Sequence, residues 1–126
     1  MLQEHQVIAF VPTTDPDRAR SFYERQLGLR FVADDGFALV FDLGGTTLRI
    51  ARISGAFEPP GYTVLGWQVD DIEAVARELR ERGIEFLRFD GFEQDDLGIW
   101  TSPNRAGVAW FKDPDGNTLS ISAHRG

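Results

Sequence analysis

The sequence predicts an α+β fold built from two βαβββ modules, and three observations carry that prediction. Strand-like and helix-like segments follow the same order twice along the chain. Ile8 and Val64 each stand seven residues before a helix-capping aspartate, Asp15 and Asp71. Short words also recur, "LGLRF" against "RGIEF" after each helix and "GGTTLRI" against "DGNTLSI" at each module's end. The last match sets Arg49 opposite Ser120. The modules are placed at residues 6–54 and 62–123 of one domain covering 1–126.

In the first module the strand "VIAFVP" leads into "TTDPDRARSFYERQLG". Asp15 suits an N-cap, and Pro16 suits the first helical position, where a missing N–H costs nothing. Ala19, Phe22, Tyr23 and Leu27 recur at helical spacing, and Gly28 suits the stop. Three strands follow, "LRFVADD", "FALVFDL" and "TTLRIAR", punctuated by Gly36 and Gly44-Gly45.

The second module begins after "EPPG", a linker at residues 58–61. "YTVLGWQV" reads as a strand, and Asp70 or Asp71 caps a helix carrying Ile72, Val75, Ala76 and Leu79, ended by Gly83. "IEFLRF" at residues 84–89 is predicted as a strand, followed by the loop "DGFEQDDLG". The segments around "IWTS", then "GVAWFKD" and "NTLSIS", supply the last strands. Asp113 to Asn117 between the last two is turn chemistry: Pro fixes φ, Gly and Asn tolerate positive φ, and Asx side chains bond nearby backbone. One helix per module covers one sheet face, which leaves the other face to line a shared groove.

Composition narrows the function. A chain of 126 residues with 42% hydrophobic and 26% charged content suits one soluble domain with a full core. No apolar run approaches the roughly 20 residues needed to cross a bilayer, and no signal-peptide pattern opens the chain. The expectation is a cytoplasmic protein that engages no membrane. A net charge of −7 argues against phosphate-backbone binding, so no nucleic-acid partner is expected. The absence of cysteine removes thiolate chemistry and Cys-based metal sites.

The words "DPDRARSFYERQLGLRF", "GWQVDDIEAVARELRERGIEF" and "FKDPDGNTLSIS" make the chain resemble the vicinal oxygen chelate superfamily. Its members include glyoxalase I, extradiol dioxygenases, fosfomycin resistance enzymes and bleomycin resistance proteins. The resemblance runs over almost the whole chain. It implies curved mixed sheets around a groove, a homodimer, and, in metal-dependent members, one His or Glu ligand on each of four strands. Mapped onto this sequence, those ligand positions hold Ile8, Arg49, Val64 and Ser120. Ile and Val have no donor atom, Arg has no lone pair to give, and a lone Ser hydroxyl is a weak ligand. A guanidinium at such a site also repels a dication. No metal or other cofactor is therefore expected. His5 and His124, the only histidines, lie near the chain ends.

Period-2 alternation gives a provisional groove lining. Ile8, Phe10, Thr47 and Arg49 share one face; Val64, Gln68, Ser120 and Ser122 share the other module's face. Trp110 joins them if it pairs near Ser120, Trp67 has the opposite parity, and Trp100 walls the groove. Two roles fit Arg49: a clamp for a carboxylate or phosphate, or an ion pair with Asp42, Asp95 or Asp96. Asp95 and Asp96 read either as an acid–base pair with split pKa values or as a solvated turn. No nucleophile stands beside a base, so no catalytic residue is assigned. The leading expectation is a metal-free protein binding an unidentified small organic ligand. Its competitors are an enzyme of the same superfamily, metal-independent or with an unrecognised metal site, and an interaction module whose groove is self-filled.

Overall fold

The computed structural model describes residues 1–124. The chain divides into two compact units between Glu58 and Pro59, inside the predicted linker. Each contains one four-stranded mixed sheet.

In the first unit a 3-10 turn, Leu2–Glu4, precedes β1, Ile8–Thr13. Helix α1, Pro16–Ser21, starts where expected: the Arg18 N–H donates to Asp15 Oδ1 at 3.2 Å, and Pro16 occupies the first position. The helix does not run regularly to Leu27. It widens over Phe22–Gln26 into a π-helical turn, closed by the Leu27 N–H donating to the Phe22 carbonyl at 3.0 Å. Strands β2, Arg30–Asp34, β3, Ala38–Asp42, and β4, Thr47–Arg52, complete the unit. Their order is β1-β4-β3-β2, with β1 and β4 parallel and the other pairs antiparallel.

One face of this sheet carries the core. Val11, Leu39, Phe41, Leu48 and Ile50 are buried, as are Ala19, Phe22 and Tyr23 of the helical segment. Tyr23 meets Phe22 edge-on at 5.0 Å and Phe41 at 6.1 Å between ring centres. The wider turn thus coincides with the two aromatic residues that fill this core.

The second unit holds β5, Thr63–Gln68, α2, Ile72–Glu81, β6, Trp100–Thr101, β7, Gly107–Lys112, and β8, Thr118–Ala123. The order β5-β8-β7-β6 and the parallel β5–β8 pair repeat the first unit's topology. Asp71 rather than Asp70 caps α2, accepting the Ala74 N–H at 3.1 Å. Ile72, Ala76 and Leu79 are buried on one side of that helix. Leu119, Ile121, Ala109 and Phe111 form the buried face of the sheet.

Residues 84–89 do not form the predicted strand. A single backbone bond, Leu87 N–H to the Trp110 carbonyl at 2.8 Å, ties them to β7. Gln94 takes over the remaining pairing work. Its side chain donates to the Leu87 and Gly98 carbonyls and accepts the Phe89 N–H, each at 2.8 Å. A side-chain amide satisfies the backbone groups that a neighbouring strand would otherwise need.

Candidate functional site

Each sheet has a second face that its own helix does not cover. In the first unit, strand register puts Ile8 beside Thr47, Phe10 beside Arg49 and Pro12 beside Ala51, with Val40 on the far side of Arg49. Ile8 is 50% exposed and Phe10 63%. Both are large apolar side chains left in solvent on one face of β1. The predicted parity of Ile8, Phe10, Thr47 and Arg49 is what the register gives.

Arg49 is the charged group in the middle of this apolar face. Its Nη2 donates to Asp35 Oδ2 at 2.6 Å, so its partner is Asp35 rather than Asp42, Asp95 or Asp96. The β2–β3 hairpin explains the difference. Asp35 sits at its tip, where Oδ1 also accepts the Phe37 and Ala38 N–H groups at 2.9 Å. Asp42 is committed to the next turn, accepting the Gly44 and Gly45 N–H groups, and faces Arg30 at 3.6 Å. The Arg49 bond, followed by the two backbone donors, lowers the Asp35 pKa to about 2. The neighbouring Asp34 also falls to about 2, chiefly through its two-pronged bond with Arg52 at 2.7 Å, then through the Gly36 N–H.

In the second unit Trp110 pairs with Ser120 on one rung, and Val108 with Ser122 on the next. Gly66 and Gln68 continue those rungs on β5. Trp67 pairs with Ile121, on the opposite parity as expected. The β5–β8 register shifts between Thr63 and Leu65, so Val64 falls at the irregularity rather than on the Ser120 rung. Ser120 itself is buried.

Four aromatic rings gather on the Trp110 side of this sheet. Trp100 and Trp110 lie 6.0 Å apart, Phe92 stacks on Trp100 at 4.9 Å and 19°, and Phe89 meets Trp110 edge-on at 5.3 Å. Phe89 and Phe92 keep about two-fifths of their surface exposed. Trp100 and Trp110 are among the residues expected from the sequence to line the groove; Phe89 and Phe92 are not. Residues 90–98 have no periodicity to read; the available signal was a Phe on each side of the Asp-Gly turn.

Asp96 is not brought to these rings. It lines a separate open cleft with Arg80, Ile84, Phe86 and Arg88 beside α2. Asp95 is a turn former, accepting the Leu97 and Ile99 N–H groups at 2.9 Å. Both carboxylates are exposed, and Asp95 lines a different cleft from Asp96, beside Asp70 and Asp71. His124 lies 3.4 Å from the Ser122 hydroxyl and is exposed, as is His5.

A divalent metal does not fit the matched positions. Ile8 and Val64 offer no donor, Arg49 is bonded to Asp35, and Ser120 supplies one buried hydroxyl. Among the described residues no three His, Asp, Glu or Cys side chains cluster to hold an ion.

The model of the Glyoxalase/Bleomycin resistance protein/Dioxygenase superfamily matches residues 5–121. No curated protein matches the chain in sequence. Among solved structures it is similar to TnmS3, an antibiotic-binding protein from Streptomyces sp. CB03234, at 25% identity and TM-score 0.71, with 96% of each chain covered. It is also similar to a member of the same superfamily from Sphaerobacter thermophilus, at 22% identity and TM-score 0.73, covering 95% of this chain and 97% of that one. TioX from Micromonospora sp. ML1 is similar at 18% identity and TM-score 0.70, covering 96% and 99%. With two βαβββ units and a match spanning nearly its whole length, the chain belongs to the Glyoxalase/Bleomycin resistance protein/Dioxygenase superfamily.

Proposed function

We propose that this protein binds a small planar organic molecule, without a metal and without chemistry, on the aromatic face of its second sheet. The observation that carries the reading is the Phe89, Phe92, Trp100 and Trp110 group beside a rung of small polar residues. Aromatic rings supply apolar area and stacking of about 0.5–1.5 kcal/mol per contact beyond burial. Ser122 and Gln68 supply directed polar groups at its edge. The likeness to an antibiotic-binding protein supports a sequestering role. The edge strands β1, β2 and β5 each leave one side for a second copy to pair with, so a homodimer belongs to the same reading. Light scattering at about the 14.1 kDa of one chain would remove that part.

Titrating the intrinsic fluorescence with neutral planar probes such as 2-naphthamide tests the binding. Saturable quenching is expected, weakened about three- to tenfold by Trp110→Ala or Trp100→Ala. Binding that neither substitution changes, or no saturable binding across a varied set of planar probes, overturns the proposal.

A further inference from the structure

We infer that Asp90-Gly91 is a site of spontaneous isoaspartate formation, and that this covalent change pulls Phe92 away from Trp100. The inference does not depend on any ligand. The chain has three Asp-Gly steps, Asp35-Gly36, Asp90-Gly91 and Asp115-Gly116. The reaction needs an uncommitted carboxyl and an unbonded backbone nitrogen after it, and Gly favours it because no Cβ hinders the approach. The fold withholds these conditions from two of the three steps. Asp35 is bonded to Arg49 and to the Phe37 and Ala38 N–H groups, and the Gly36 N–H donates to Asp34 Oδ1 at 2.9 Å. The Gly116 N–H donates to the Asp113 carbonyl at 3.0 Å.

Asp90-Gly91 is left open. Both residues are exposed, in a turn closed by one bond from the Phe92 N–H to the Phe89 carbonyl at 3.2 Å. Among the described residues nothing bonds the Asp90 carboxylate, and the Gly91 N–H has no acceptor. A Cβ built at Gly91 would meet nothing within 4 Å, so the approach is unobstructed. The Gly91 nitrogen attacks Asp90 Cγ. An N–Cγ bond forms, a Cγ–O bond breaks, and the nitrogen's proton leaves with that oxygen as water. Water then reopens the imide ring. Attack at the Asp90 main-chain carbonyl breaks its bond to nitrogen, leaving the peptide link on Cγ and a free carboxylate on Cα. No oxidant or cofactor takes part. The main chain gains one atom between Phe89 and Phe92. Phe89 is held edge-on to Trp110 and Phe92 is stacked on Trp100 at 4.9 Å and 19°, contacts whose geometry a longer turn does not keep.

Trypsin places the three steps in separate peptides, residues 31–49, 89–105 and 113–125. Folded protein is aged in heavy-oxygen water, digested, and its isoaspartyl and aspartyl peptides are separated by chromatography. Peptide 89–105 is expected to gain heavy oxygen and an isomer at least about fivefold faster than the other two, the factor that a single lost hydrogen bond represents. In urea, where the protecting bonds are gone, the three rates are expected to converge. Near-ultraviolet circular dichroism of the indoles is expected to change at the same rate as the isomer accumulates, and to stay constant in Asp90→Glu. Equal rates in the folded protein, no isomer at 89–105, or an isomer there that survives Asp90→Glu overturns the site. Isomer accumulation with an unchanged indole signal overturns its effect on Phe92.

Discussion

Gly66 faces Ser120 so closely that a Cβ built at residue 66 would stand 2.9 Å from the Ser120 hydroxyl oxygen and 3.4 Å from its carbonyl. The pair lies on the β5–β8 rung that Trp110 continues across β7. Its φ is not positive, so the requirement for Gly is space and not backbone conformation. Gly66→Ala is expected to cost about 1 kcal/mol by overpacking. In a Ser120→Ala background the same change is expected to cost at least about 0.5 kcal/mol less, since the obstructing oxygen is gone. Chemical denaturation of the four proteins measures this coupling; additive effects would separate the two residues energetically.

Acid is expected to unsettle the first unit through its hairpin tip. Asp34 and Asp35 are depressed to about 2 from an ordinary 3.8. Groups with a lowered folded pKa contribute stability above their unfolded pKa and lose it as pH falls through the folded value. The loss falls between about pH 4 and pH 2, and these residues add no pH dependence above about pH 5. Both pairs are solvent-exposed, so the effect is modest and shrinks with salt. Arg52→Met is expected to flatten the acid limb of stability against pH. An unchanged limb would mean that other carboxylates govern acid unfolding.

The turn between β7 and β8 depends on one buried carboxylate. Asp113 Oδ1 accepts the Asp115 N–H at 3.0 Å and the Asn117 N–H at 2.9 Å, while Oδ2 accepts from Asn117 Nδ2 at 2.9 Å. Asn117 is fully buried, so Asp113→Ala removes a carboxylate acceptor from its backbone and side-chain N–H groups where water does not reach. A loss of about 2–3 kcal/mol is expected in urea unfolding. A loss below about 0.5 kcal/mol would show that the turn holds without its carboxylate.

Chelation is expected to change nothing. The donor chemistry at Ile8, Arg49, Val64 and Ser120 does not suit Zn, Ni, Mn or Fe. Probe affinity is therefore predicted to be equal before and after treatment with a chelator, and elemental analysis after loading with each ion is predicted to find no stoichiometric metal. One equivalent of saturably bound ion would reveal ligands outside these positions.

The regular parts of the fold were legible because regular structure writes its period into the sequence. Two-residue alternation put Trp67 on the other parity, and Trp110 joins the Ser120 face because the condition set for it, pairing near Ser120, holds. Asp15 caps α1, and Asp71, one of the two candidates, caps α2. What was not legible depends on side chains replacing backbone pairing. Gln94 holds residues 84–89 near β7 without a ladder, so a segment with strand composition is not a strand. The same loop brings Phe89 and Phe92 to the tryptophans. Arg49 was recognisable as either clamp or ion pair, but its partner 14 residues earlier is set by where a hairpin tip folds back. The π-helical turn at Phe22–Gln26 adds one residue to a hydrogen-bonded ring, a change that helical spacing does not register.

The three tryptophans allow the central claim to be read directly, since Trp100 and Trp110 belong to the aromatic face and Trp67 does not. Indole N–H resonances of isotopically labelled protein, assigned by single Trp→Phe substitutions, would be followed during titration with 2-naphthamide. The account predicts saturable shifts of Trp100 and Trp110 with a common affinity, and a stationary Trp67. A stationary Trp100 and Trp110, with or without movement of Trp67, would contradict it.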